Sequence, residues 1–177
     1  MKRAVFLDRD GVLNASDVSS GIPKPPTSID SIVLIEGAKE AISIFKKQGF
    51  LPVVVTNQPD VARGNLLLKT AREINIQIGE ELGIDYFYTC FHDDSDKCTC
   101  RKPLPGLLLA ASNDLGIKLE RSLMVGDRWK DIQAGQTVGA QCFFVDYSYA
   151  EEQPKMPFTR VASLLEVSKM IGAIKDD

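Results

Sequence analysis

The chain has 177 residues, of which 44% are hydrophobic and 25% charged, with a formal net charge of −3. That is enough chain to bury one substantial core and too little for two ordinary domains, so a single domain over 1–177 is expected. Acidic and basic residues are interspersed, leaving no basic stripe to neutralise a nucleic-acid backbone, and nucleic acid is excluded as the expected partner. The apolar run before Asp8 is only four residues long, too short for a signal-peptide apolar region, and no apolar run approaches the roughly 20 residues that span a bilayer. The expectation is a cytoplasmic monomer with no membrane contact.

In chain order, short apolar runs at 4–7, 51–55, 86–89, 122–125 and 142–145 alternate with helical periodicity at 38–47, 66–82, 106–115, 132–138 and 161–174. This alternation predicts an α/β fold, a parallel sheet with helices on both faces. Gly49, Gly83 and Gly116 fall just past three of the helices, where glycine caps a C-terminus.

The first run ends in Asp8-Arg9-Asp10-Gly11-Val12-Leu13-Asn14. Open α/β proteins bind ligands at the carboxyl ends of their strands, where this pair of aspartates falls. Two carboxylates so close call for a cation, and with Mg²⁺ they supply what phosphate-ester cleavage needs: Asp8 as nucleophile and Asp10 as acid and then base. Alone, Asp-Gly is also a common turn. The next stretch, 14–36, holds Pro23-Lys24-Pro25-Pro26 and is too long for a simple connection, so it reads as a flap over the site.

The second run leads into Thr56-Asn57-Gln58, where Thr56 and Asn57 can donate to phosphate or substrate oxygens; Arg63-Gly64 follows as a candidate contact for a second polar group. After the third run, Cys90, His92, Cys98 and Cys100 form C-x-H-x5-C-x-C. Four such ligands within eleven residues suit one closed, structural Zn²⁺ site, which would staple the loop 90–100 and fix the adjoining Arg101-Lys102. Lys102, beside a helix that begins near Pro105, is the expected counter-charge for the transferring phosphoryl group. The fourth run ends at Gly126-Asp127, which places Asp127 as a third oxygen ligand for Mg²⁺; Asp131, four residues on, shares its face as a supporting residue. Cys142 lies in an apolar run and is assigned to the core. The segment 147–158 reads as a surface excursion before the last helix.

These four motifs, in this order and over nearly the whole chain, resemble those of the haloacid dehalogenase-like phosphatase superfamily. The resemblance implies a Rossmann-like fold, Mg²⁺ held by Asp8, Asp127 and the backbone carbonyl of Asp10, and phosphate contacts from Thr56 and Lys102. The zinc loop narrows it to two groups, the heptose 1,7-bisphosphate 7-phosphatases and the histidinol-phosphate phosphatases. The Cys100-Arg101-Lys102-Pro103 run and Thr56-Asn57-Gln58 look more like the heptose group, in which Arg101 would contact the sugar or its anomeric phosphate and the product would feed lipopolysaccharide or another surface glycan. The chain departs from that group in having Ala15-Ser16-Asp17 and Pro59-Asp60 where the group carries Gly-Tyr and Ser-Gly. Two non-enzymatic rivals stand beside this reading: a phosphate-sensing receiver-like domain, which would need no Asp10, and a zinc-stabilised interaction module.

Overall fold

The structure is a computed structural model and describes residues 2–16 and 24–173. Six strands form one sheet: β1 (Arg3–Leu7), β2 (Phe50–Asn57), β3 (Tyr86–Cys90), β4 (Leu123–Gly126), β5 (Gln141–Val145) and β6 (Thr159–Val161). All pairs are parallel, in the order β3-β2-β1-β4-β5-β6. The helices are α1 (Ala38–Lys47), α2 (Leu68–Leu82), α3 (Gly106–Leu115), α4 (Trp129–Thr137) and α5 (Leu164–Ala173).

The period-two rule of a strand explains the layers. Val5 and Leu7 of β1 point into one core with Phe45 of α1, Ile74 of α2 and Val167 of α5. Ala4 and Phe6 point the other way, into a second core with Leu108 of α3 and Ile132 of α4. Phe6 is fully buried, so Phe6→Ala would remove about 3–5 kcal/mol of stability. Such burial on both faces is why the strands read as continuous apolar runs rather than alternating ones. Cys142 is buried in the second core, as expected from its apolar run.

The chain leaves β1 to one side for β2 and returns on the other as β4, so the order reverses at β1. Asp8 follows β1 at this crevice, its amide bonded to the Val125 carbonyl at 3.0 Å. Ligands bind at such reversals in open α/β sheets.

The largest departures from the sequence reading lie at the starts of α5 and α4, while α2 begins two residues later than expected, at Leu68. The residues before the last helix include β6, a three-residue edge strand too short for alternation to reveal, and α5 begins at Leu164 rather than 161. Its start is fixed by Ser163 Oγ, which accepts from the Glu166 amide at 3.2 Å, while Glu166 accepts from the Ala162 amide at 2.7 Å. Likewise α4 begins at Trp129, not 132, because Asp131 Oδ2 accepts the Arg128 amide at 3.0 Å and closes the first turn.

Part of the expected flap, 17–23, lies outside the described residues. Its stem is closed: the Ala15 amide donates to the Val33 carbonyl at 2.8 Å and the Ile35 amide to the Leu13 carbonyl at 2.9 Å, while Ile32, Leu34 and Ile35 pack on the first core. Among the described residues no helix is long and apolar enough to cross a membrane.

Candidate active site

Strand tips bring together groups far apart in sequence. Asp8, Asp127 and Asp131 are buried, and each offers a carboxylate oxygen within 4.8 Å of the others. Lys102 enters from the loop after Cys100, its ammonium 2.8 Å from Asp8 Oδ1 and 2.5 Å from Asp131 Oδ1. Asn57 holds this loop in place. Its amide nitrogen donates to the Lys102 carbonyl and its oxygen accepts from the Lys102 amide, both at 3.0 Å. Asn57 thus spends its polar groups on the lysine backbone.

Burial, opposed by the Lys102 ammonium and reinforced by Asp131 and Asp10, pushes the Asp8 carboxyl up to about 7. Burial and the charges of Asp8 and Asp131 likewise drive Asp127 well above the usual carboxylate range. Burial alone would lower Lys102, but Asp131 and Asp8 outweigh it and raise the ammonium above its ordinary value. One ammonium among three buried carboxylates leaves the pocket short of positive charge. Asp127 Oδ1 is buried and accepts no hydrogen bond from the protein. A hard divalent cation fits both observations, since it would supply the missing charge and take an oxygen that has no donor. Asp131 is differently placed: one oxygen meets Lys102 and the other the Arg128 amide.

Gly11 makes the close approach to this cluster possible. Its φ is +86°, and a Cβ there would lie 2.0 Å from Asp127 Oδ2.

Asp10 is gripped by four donors from three residues. Arg9 Nε and Nη2 reach it at 3.1–3.2 Å, Asn14 Nδ2 at 2.9 Å and Gln58 Nε2 at 2.7 Å. Arg9 is fully buried and continues the network to Asn75 Oδ1 at 2.8 Å, and Asn75 Nδ2 donates to Thr89 Oγ1 at 3.0 Å. Thr56 is buried at the tip of β2 and accepts from Gln58 Nε2 at 2.9 Å. Sequence reasoning assigned no role to Arg9, Gln58 or Asn75. The signal available was the arginine inside an otherwise acidic Asp-x-Asp, a charge that must find a buried partner.

Cys90, His92, Cys98 and Cys100 converge as their spacing suggested. Cys90 Sγ lies 3.5 Å from His92 Nδ1, 3.7 Å from Cys98 Sγ and 3.2 Å from Cys100 Sγ; Cys100 Sγ is 3.3 Å from His92 Nδ1 and 3.5 Å from Cys98 Sγ. Tetrahedral zinc with thiolate and imidazole ligands would set these separations at ~3.5–3.8 Å. The four groups are therefore already close to a metal-binding arrangement.

Arg63 and Arg101 are engaged by acids of the same loop. Arg63 forks onto Asp93 at 2.8 and 2.6 Å, and Arg101 Nε meets Asp94 at 2.7 Å. They tie the loop after β2 and the residues before Lys102 to the segment 93–96. The Arg63 guanidinium holds Asp93 down to about 2.

A parallel α/β sheet with paired aspartates after its first strand, a lysine on the first of them and a third aspartate after β4 defines a hydrolase of phosphatase type. A family model described as haloacid dehalogenase-like hydrolase matches residues 27–139, and the chain belongs to that family. It is 37% identical over 147 residues to the D-glycero-β-D-manno-heptose-1,7-bisphosphate 7-phosphatase of Pasteurella multocida (strain Pm70), covering 77% of each chain. It is 38% identical over 143 residues to the enzyme of the same name from Escherichia coli (strain K12), covering 74% of this chain and 72% of that one. Among solved structures, a D,D-heptose 1,7-bisphosphate phosphatase from B. bronchiseptica, complexed with magnesium and phosphate, superposes with a TM-score of 0.83 at 27% identity over 97% of this chain and 98% of that one. A putative HAD-like phosphatase from Mesorhizobium loti gives 0.80 at 30% identity, over 99% and 88%.

Proposed function

We propose that the chain removes the 7-phosphate of D-glycero-D-manno-heptose 1,7-bisphosphate through an aspartyl-phosphate on Asp8. The observation that carries the chemistry is the Lys102 ammonium 2.8 Å from Asp8 Oδ1, beside two further buried carboxylates. The substrate rests on the named relatives at 36–38% identity.

Asp8 attacks phosphorus as the ester bond to the sugar oxygen breaks. Asp10, protonated, gives its proton to that leaving oxygen. As a carboxylate it then takes a proton from water, which attacks phosphorus, breaks the Asp8–phosphorus link and releases inorganic phosphate. Arg9, Asn14 and Gln58 fix the direction in which Asp10 faces. Lys102 offsets charge on the phosphoryl oxygens and opposes the rise that burial imposes on the Asp8 carboxyl. Asp8, Asp127 and the Asp10 carbonyl would hold Mg²⁺, which when bound screens Asp8 from the anionic ester and polarises the phosphoryl group. Thr56 is a phosphate contact, and Arg63 and Arg101, on leaving Asp93 and Asp94, would meet the second anionic end of the substrate. Cys90, His92, Cys98 and Cys100 would hold a structural Zn²⁺, which when bound anchors the segment carrying Arg101 and Lys102.

A turnover panel with Mg²⁺, using both anomers of heptose 1,7-bisphosphate, histidinol phosphate and an aryl phosphate, tests this. The heptose ester should give the highest kcat/KM. Preference for histidinol phosphate would overturn the substrate, and no turnover of any ester would overturn the activity.

A further inference from the structure

The connection between β5 and β6 crosses back over the carboxylate cluster and is joined to both of its flanks. Tyr147 Oη donates to the Gly11 carbonyl at 2.9 Å, and Gly11 is the residue pressed against Asp127. The Tyr147 and Tyr149 rings stack with centroids 5.6 Å apart and an interplanar angle of 29°. The turn between them is set by Ser148, at φ +55°, whose amide donates to Asp146 Oδ1 at 2.7 Å. At the other end, the Glu151 amide donates to the Tyr149 carbonyl at 2.8 Å, and its carboxylate takes the Arg128 guanidinium, with Nε 3.0 Å from both oxygens. Arg128 directly follows Asp127. Tyr147 is 44% exposed, so its ring does little as core filler, and its hydroxyl bond and stacking are what it contributes.

We propose that residues 146–151 form a strap that fixes the separation of Asp127 from Asp8, with Tyr147 and Tyr149 as positioning residues that set the affinity of the site for a divalent cation. The inference rests on the cation site of the proposed function. The Tyr149 ring stacks on Tyr147 and its hydroxyl lies beside the Asp127 carboxylate. A tyrosine hydroxyl there can donate to the carboxylate and restrain it without competing for the cation. Neither tyrosine reaches the reacting atoms in the proposed mechanism.

The test is calorimetric titration of Mg²⁺ into metal-free wild type, Tyr147→Phe, Tyr149→Phe and Glu151→Gln without substrate, beside melting curves of the same proteins. The two Phe variants keep the rings and remove only the hydroxyls. Each should weaken Mg²⁺ binding about tenfold, with metal-free melting temperature unchanged and kcat at saturating Mg²⁺ within about twofold of wild type. Glu151→Gln opens the strap from its other end and should show the same loss of affinity. Wild-type affinity in all three variants would overturn the strap alone, whereas a wild type that takes up no Mg²⁺ would overturn the cation site and the strap together.

Discussion

Lys102 Nζ stands 2.8 Å from Asp8 Oδ1 although the two residues are 94 positions apart. The same ammonium touches Asp131 at 2.5 Å, so it is the one cation between two buried carboxylates. Lys102→Met should therefore remove both substrate charge compensation and native-state balance. Turnover is expected to fall at least ~100-fold. Stability should drop by about 3–5 kcal/mol in metal-free buffer, as for a broken buried ion pair, with partial recovery on adding Mg²⁺. Denaturant melts with and without Mg²⁺ check this, and wild-type stability in the absence of the metal would refute it.

Asp10→Asn separates the two chemical steps. On alkyl phosphates the loss should be about 10²–10⁴-fold, because the leaving oxygen needs a proton. An aryl phosphate has a good leaving group, so its first step should survive while water attack on phospho-Asp8 stalls. Stopped-flow measurement should then show a burst of about one phenol per chain followed by slow turnover. Equal, burst-free losses on both ester types would contradict Asp10 as acid and base.

Much of the site was legible because each motif lies at the end of a strand: Asp8 after β1, Thr56 and Asn57 as the last residues of β2, Asp127 after β4. Burial on both faces made the strands visible as apolar runs, and the Cys/His spacing alone marked four side chains that the fold brings together. What could not be read were partnerships made across the sheet. Gln58 reaches Asp10 over 48 positions, Arg9 reaches Asn75 over 66 and Tyr147 reaches Gly11 over 136. No local pattern encodes such pairings, because they depend on how β1, α2 and the chain after β5 pack. The position of Asn57 at a strand end suggests a substrate donor, but its carboxamide matches the backbone of Lys102 in both directions. β6 escaped because three residues at a sheet edge carry too little periodicity.

Removal of the loop metal should act on both stability and catalysis. Protein prepared without added metal is expected to carry about one zinc per chain, and stripping it with a strong chelator should lower the melting temperature and, because Lys102 lies two residues beyond Cys100, reduce kcat. Cys98→Ser should reproduce the effect. Folded, fully active protein containing no zinc would contradict the assignment.

The crowded carboxylates give a stability profile with a definite sign. Burial pushes Asp8 up to about 7, and Asp127 also lies above its ordinary range. A carboxyl whose folded pKa exceeds its unfolded value favours the fold below the unfolded pKa, and that advantage is lost as pH rises through the folded pKa. Metal-free protein should therefore lose melting temperature between about pH 5 and about pH 7.5, and saturating Mg²⁺ should remove most of the loss by favouring the ionised carboxylates. Thermal melts across that range check it; a flat or rising metal-free profile would contradict it.

The covalent role of Asp8 is tested most directly by the stereochemical course at phosphorus. Two in-line displacements, first by Asp8 and then by water, each invert the centre. Hydrolysis, in isotopically labelled water, of a phosphorothioate ester made chiral at phosphorus by oxygen isotopes should accordingly give thiophosphate with net retention. Net inversion would mean that water attacks the substrate directly, and Asp8 would not be the nucleophile.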